Sequence, residues 1–264
     1  MSDLILTAHK ESVWEITLNR PDKRNAINLD MMTAFDDAIT AAMRAEGVRV
    51  IVIKGLPGLF SAGIDVTAFL TMPDKYGPQW QRFMRRVTDD FQGVLTRLER
   101  IELPTIAVIE GYCLGLALEL VMACDMRLVL ADTKVGLPET RLGIIPDVGG
   151  TTRLTRIVGV GRAKEMIMTG AHYTAESVAD WGLFNYVVAD QAALQAKTDW
   201  LVNELNQAAP LAIGMAKRVI DGLGDIDRGL QLEGWAQSQL FRSEDFGEAV
   251  QSFMTKQKPN FKGK

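Results

Sequence analysis

Three acidic residues occupy positions where a carboxyl group has to be accounted for. Glu119 is the one acid in the apolar run Leu116–Ala117–Leu118–Glu119–Leu120. It follows Leu116 by three residues, near the N-terminus of the helix this run predicts, where unpaired N–H groups and the positive dipole end gather. A lone acid on such a helix costs on the order of several kcal/mol if it is buried without a partner. Two readings stay open: an ion pair with Arg127 or another cation, or retention for proton chemistry. Glu139 and Asp147 bracket the stretch Pro138–Glu139–Thr140–Arg141–Leu142–Gly143–Ile144–Ile145–Pro146–Asp147, ahead of the pair Gly149–Gly150. Read alone, Asp147 fits a turn cap and Glu139 a solvated acid as well as either fits catalysis. The third feature is Gly58–Leu59–Phe60–Ser61–Ala62–Gly63–Ile64–Asp65. Its small residues allow close backbone approach and leave amides free to hold an anion, although a simple turn would look the same.

The elements needed to hold these residues are visible as an α/β pattern. Val13 to Leu18, Val48 to Ile53, Thr105 to Ile109, Met126 to Leu130 and Phe184 to Val188 read as strands, several of them nearly wholly apolar as buried parallel strands are. Asn28 is placed to cap a helix over Leu29 to Met43, with Met32, Phe35, Ile39 and Met43 on one face. A second helix runs from about Gln79 to Arg100, and Trp80, Phe83 and Met84 on it read as helix packing or as the lining of an apolar pocket. Thr67 to Trp80, with Pro73, Gly77 and Pro78, reads as a loop. Beyond Gln191 no strand is predicted; Ala193 to Leu205, Leu211 to Asp221, Gly229 to Phe241 and Glu244 to Lys256 read as helices, the last capped by Ser243. The division expected is an α/β region over 1–190 and a helical region over 191–264, with a basic, extended tail.

Composition narrows the function. The chain has 264 residues, 47% hydrophobic and 23% charged, with a net charge of −4, which suits a soluble globular protein and argues against nucleic acid as principal ligand. Cys113 and Cys124, the only cysteines, lie in apolar surroundings and read as buried thiols; with His9 and His172 the only histidines, a zinc site is not expected. Gly159–Val160–Gly161 lacks the third glycine of a dinucleotide fingerprint, Lys164 standing there, and reads as a helix-entry turn. There is no P-loop, and Ser61 is not in a nucleophile elbow. The N-terminus shows no signal-like apolar core and no window is long enough to span a membrane, so a cytoplasmic protein is the default expectation.

Taken together, the stretches resemble the crotonase (enoyl-CoA hydratase/isomerase) family. The resemblance begins at Leu18–Asn19–Arg20–Pro21–Asp22–Lys23–Arg24–Asn25–Ala26–Ile27–Asn28 and includes Phe60–Ser61–Ala62–Gly63–Ile64–Asp65. It continues through Cys124–Asp125–Met126–Arg127 and Gly149–Gly150–Thr151–Thr152–Arg153–Leu154, and closes at Lys256–Gln257–Lys258–Pro259. It implies a spiral of ββα units followed by a helical C-terminal region that builds a homotrimer or a dimer of trimers. It also implies an acyl-CoA thioester as substrate and no separate metal or redox cofactor. An oxyanion hole is implied at the backbone N–H groups of Ala62 and Leu116, with CoA held near Ala62, Gly63, Ile64, Asp65 and Leu116. Lys23 and Arg24 are matched to its phosphates, and Phe253 and Lys256 to a neighbouring subunit's ligand. Glu119 and Glu139 match the two carboxyls of family hydratases. Asp147 stands where the dienoyl-CoA isomerase branch carries an aspartate, which leaves double-bond isomerisation through Glu139 and Asp147 as the alternative. Where the family often has a glycine run this chain has Gly115–Leu116–Ala117, whose side chains bear on the acyl space. A non-catalytic scaffold that binds CoA or RNA is the reading from another class.

Overall fold

The computed structural model describes residues 3–222, 237 and 239–264. Two regular strands open the chain, β1 (Ile5–Lys10) and β2 (Val13–Leu18), and pair antiparallel. The sequence reading does not find β1, because ILTAHK alternates weakly and lies half exposed at the sheet edge, where packing demands little apolar content. Helix α1 (Leu29–Arg44) starts where expected, the Asn28 side chain accepting the Met31 N–H at 2.9 Å. Its buried face carries Met32, Phe35 and Ile39, but Met43, in the last turn of the helix, is 55% exposed.

Strand β3 (Val50–Lys54) leads into the segment that reads from sequence as a loop. It folds instead into a 3-10 turn at Val66–Leu70 and a short helix, α2 (Met72–Tyr76). Asp65 caps the first through the Thr67 N–H, Pro73 sits in the first turn of the second, and Gly77, at φ 85°, ends it. A 3-10 turn at Trp80–Phe83 then feeds α3 (Met84–Arg100). Strands β4 (Thr105–Ile109) and β5 (Tyr112–Leu114), helix α4 (Leu116–Met122), strands β6 (Met126–Leu130) and β7 (Lys134–Gly136) and helix α5 (Gly150–Thr169) follow. Gly159, at φ 80° and ψ 165°, breaks α5 into two segments, in keeping with a turn at this glycine rather than a phosphate loop. Strands β8 (Tyr173–Thr174) and β9 (Tyr186–Val188) and helices α6 (Gln191–Gln207), α7 (Pro210–Asp221) and α8 (Glu244–Thr255) complete the described elements. Ser243 caps α8 through the Phe246 N–H. The helix expected over Gly229 to Phe241 falls mostly outside the described residues, as does the side chain of Phe253.

A six-stranded sheet in the order β1-β2-β3-β4-β6-β9 and a three-stranded one in the order β5-β7-β8 form the framework. From β2 to β9 every pairing of the larger sheet is parallel. Alternation along β3 divides the core: Ile51 and Ile53 face the main cluster beneath α1, α3 and α4, while Val50 and Val52 face Leu194 and Leu201 of α6. Helix α7 is tied to the framework by Lys217, whose ammonium lies 2.7 Å from Asp125, itself bonded to the Thr105 N–H and hydroxyl. The tail from Gln257 has no regular structure and folds back on α8, Lys262 and Gly263 donating their amides to Asp245. The functional consequence lies at one edge. Because β3 and β4 are parallel neighbours, the segments leaving their C-terminal ends, 55–65 and 110–116, emerge side by side.

Candidate active site

The two emergent segments are bonded together. Phe60 and Ser61 donate their amides to the carbonyls of Glu110 and Tyr112, both at 2.8 Å. The Arg20–Asn25 loop clamps this pair from outside. Buried Asn25 donates to the carbonyls of Leu59 and Phe60, and the Ser61 hydroxyl donates to the Asn25 carbonyl while accepting the Gly63 N–H. Ser61 is thus a structural hydroxyl, not a nucleophile. Asp65 is held by Arg20 at 2.6 Å and by Thr67, so its carboxylate is occupied in shaping the loop. Burial opposes its charged form, but the bonds to Thr67 and Arg20 win and hold it below the usual carboxylate range.

An accounting of amides corrects the expected oxyanion hole. The Ala62 N–H donates to the Arg24 carbonyl at 3.0 Å and Ala62 does not line the cavity described below. Gly63 donates to Ser61 and Asp65 to the Ile27 carbonyl. The Ile64 N–H, alone in this stretch, has no protein acceptor among the described residues. Sequence reasoning missed Ile64 as a donor because the bonds that occupy its neighbours come from a loop about 36 residues away in the chain. Leu116 lies on the other emergent segment. It is the first residue of α4, where an N–H has no intrahelical partner, and the bonds to the Gly115 carbonyl come from Leu118 and Glu119. Gly115, at φ 52°, makes the turn, and a Cβ there would stand 2.7 Å from Glu139 Oε1, which puts that carboxyl beside the Leu116 amide.

Ile64 and Leu116 border a cavity of about 570 Å³ into which Glu119, Glu139 and Asp147 also project. Glu119 is 2% exposed and pairs with no cation among the described residues: Arg127 instead donates to the carbonyls of Cys124 and Leu183. Glu119 Oε1 accepts two amides, Val148 at 2.8 Å and Gly150 at 2.7 Å. Those bonds explain the glycine pair, since a Cβ on Gly150 would press on Pro146 and on Glu119 Oε1. Glu139 rides on the 3-10 turn Pro138–Leu142, is 8% exposed, and its Oε2 has no hydrogen-bond partner among the described residues. Asp147 is half-buried and fixed from α3. Thr88 donates its hydroxyl to Asp147 Oδ2 at 2.6 Å, and Gln92 donates to the Asp147 carbonyl. Thr88 and Gln92 also escaped the sequence reading; the one signal is two polar residues four apart on an otherwise apolar helix face.

Burial pushes both glutamates far above the ordinary carboxyl range. Glu119 rises to about 8, mainly by desolvation and then by the charge of Glu139, with Asp147 adding and the two amides opposing. Glu139 rises to about 7, again mainly by desolvation, with Asp147 adding and its own backbone amide opposing. The pair therefore shares one proton near neutral pH, one group acid and the other base. The same shifts affect stability. The native pair binds more protons than the unfolded chain, whose carboxyls titrate at about 4.3, so its contribution is fully present below that pH and is lost as pH rises through 7 and 8. Glu119→Gln keeps an acceptor for Val148 and Gly150 and removes the charge. Calorimetric melting should show it raising Tm relative to wild type by several degrees more at pH 9 than at pH 5; an equal or reversed difference would contradict the assignment of a buried, proton-sharing pair.

The remaining expected contacts are dispersed. Lys23 and Arg24 are exposed beside the 60–65 segment. Lys256 is exposed past the end of α8 and does not line the cavity. Cys113 and Cys124 are buried and unbridged. Among the described residues no helix is long and apolar enough to cross a membrane.

With this geometry in hand, the comparisons with known proteins agree. The model of the enoyl-CoA hydratase/isomerase family matches residues 8–264. A short-chain-enoyl-CoA hydratase of Clostridium acetobutylicum is 32% identical over 257 residues, covering 96% of this chain and 95% of that protein. An enoyl-CoA isomerase/hydratase of Mycosarcoma maydis is 35% identical over 270 residues, covering 98% and 95% respectively. The crystal structure of an enoyl-CoA hydratase from Bacillus anthracis superposes with a TM-score of 0.89 at 30% identity, covering 99% of this chain and 100% of that one. A match over nearly the whole chain, on the same α/β framework with its helical C-terminal region, makes the protein a member of the enoyl-CoA hydratase/isomerase family of crotonase-fold enzymes.

Proposed function

We propose that the protein hydrates a 2-enoyl-CoA thioester. The observation that carries this reading is two buried carboxyls, Glu119 and Glu139, on the same apolar cavity as the unpaired amides of Ile64 and Leu116. The thioester oxygen accepts the N–H groups of Ile64 and Leu116. Water between Glu119 and Glu139 gives its proton to the ionised carboxylate as its oxygen bonds to C3. The C2–C3 π electrons move toward the thioester, whose enolate oxygen the two amides stabilise. The protonated carboxyl then delivers its proton to C2, and proton exchange within the pair restores the starting state. The reaction is redox-neutral, and CoA enters as part of the substrate.

Lys23 and Arg24 are exposed basic groups on the loop that clamps the 60–65 segment and suit the CoA phosphates, whereas Arg20 is committed to Asp65. The 60–65 backbone suits the adenine end, though Asp65 itself shapes the loop rather than meeting ligand. Lys256 would serve a neighbouring subunit's ligand in the trimer or dimer of trimers that the family resemblance implies. The purified protein should bleach the conjugated enoyl absorbance of a 2-enoyl-CoA and yield the 3-hydroxyacyl-CoA; a persistent chromophore in the presence of bound substrate would defeat the proposal.

Asp147 supports a second reading. It lines the cavity with both glutamates, so a proton could be moved along the acyl chain between Glu139 and Asp147 instead of being exchanged with water. Asp147→Asn separates the two. Under hydration it keeps the Thr88 bond and changes kcat by less than about tenfold. Under isomerisation it removes a proton carrier and costs about 10²–10⁴ in rate. Assaying the variant on 2-enoyl-, 3-enoyl- and dienoyl-CoA substrates reads the difference directly.

A further inference from the structure

The walls of the cavity, rather than its acids, say what acyl group belongs there. At about 570 Å³ it has room for on the order of nineteen water-sized groups, of which a four-carbon acyl thioester fills about a third. Its wall beyond the carboxyls is hydrocarbon and aromatic. Phe69 and Trp80 stack with rings 9° from parallel and centroids 6.2 Å apart, and Met72, Met84, Val87 and Phe91 continue the surface. Among the described residues the neutral polar side chains there are Thr88, already bonded to Asp147, and Gln81. Among the described residues no lysine or arginine lines the cavity, while three acids do.

The wall also has length. Thr88 marks the level of the carboxyls, since it touches Asp147, and the lining reaches back from it to Trp80. Four residues of α-helix at about 1.5 Å and four of 3-10 turn at about 2 Å give a wall of up to roughly 14 Å. An extended chain advances about 1.2 Å per bond, so the wall takes at most about eleven bonds and a chain of eight to ten carbons lies within it. Met84 in that wall, and Met72 beside it on the cavity lining, are flexible enough to follow a chain of variable bend.

From this we infer that the preferred acyl group is an uncharged hydrocarbon chain of medium length, about eight to ten carbons, rather than a four-carbon or dicarboxylic one. The inference rests on acyl-CoA being the ligand, but not on which reaction follows. Leu116 lines the cavity without closing it, and the side chain of Ala117 is buried in the core, so the residues that replace the family's glycines leave this space open.

Calorimetric titration of the intact protein with CoA, butyryl-CoA, octanoyl-CoA and glutaryl-CoA tests the inference without any turnover. Each extra buried methylene is worth up to about fourfold in affinity. Octanoyl-CoA should therefore bind at least about tenfold more tightly than butyryl-CoA, and glutaryl-CoA no more tightly than butyryl-CoA. Met84→Asp, a change at a partly exposed wall position, should reduce the octanoyl-to-butyryl ratio by about tenfold or more. Equal or weaker binding of octanoyl-CoA by the wild-type protein, or tighter binding of glutaryl-CoA, would overturn the inference. Failure to hydrate any enoyl-CoA would count against the proposed reaction and leave these affinities to be judged by themselves.

Discussion

Glu139→Gln lowers the turnover of a 2-enoyl-CoA by about a thousandfold or more, with acyl-CoA affinity and the fold preserved. The size follows from the role: positioned acid–base groups contribute about 10²–10⁴ each. Glu139 has no redundancy, because the neighbouring Glu119 has one oxygen already committed to the amides of Val148 and Gly150. The glutamine is nearly isosteric and replaces an oxygen that already lacks a protein partner, so little structural cost accompanies the loss. The pH profile provides the check on mechanism. With the pair of the free protein raised to about 7 and about 8, wild-type kcat/KM should be bell-shaped around pH 7 to 8. A variant that retains kcat within tenfold would remove Glu139 from the chemistry.

Ile64→Pro is the second large effect, expected to lower kcat by about 10²–10³, the range for one lost oxyanion donor. The substitution is unusually clean here. The bridge between this segment and Ile27 uses the Gly63 carbonyl and the Asp65 amide, so the amide that proline deletes supports no structural bond. Ile64→Val retains the N–H and should retain activity. Loss of kcat in the proline variant with KM little changed identifies a donor that matters in the transition state; a change in KM alone would place Ile64 in binding only.

Local patterns made much of this site legible. Glu119 stood out because a carboxyl on an apolar helix needs a partner, and the partner proved to be a pair of amides rather than Arg127. The five strands expected from apolar runs are all present, since buried parallel strands carry their signal in composition. What was illegible depends on contacts between distant segments. Choosing Ile64 over Ala62 requires knowing that the Arg20–Asn25 loop consumes the amides around it. Thr88 and Gln92 acquire meaning only where α3 meets Asp147. Residues 67–80 contain the prolines and glycines of a loop, yet Asp65 and Pro73 use them to start helices that wall the cavity.

The most direct test of the central claim is to incubate the wild-type protein with 2-octenoyl-CoA in water enriched in ¹⁸O and examine the acyl product by mass spectrometry. Hydration by the proton-sharing pair predicts a 3-hydroxyacyl-CoA carrying one ¹⁸O at C3. A product with the mass of the starting enoyl-CoA and a shifted double bond, free of ¹⁸O, would contradict it.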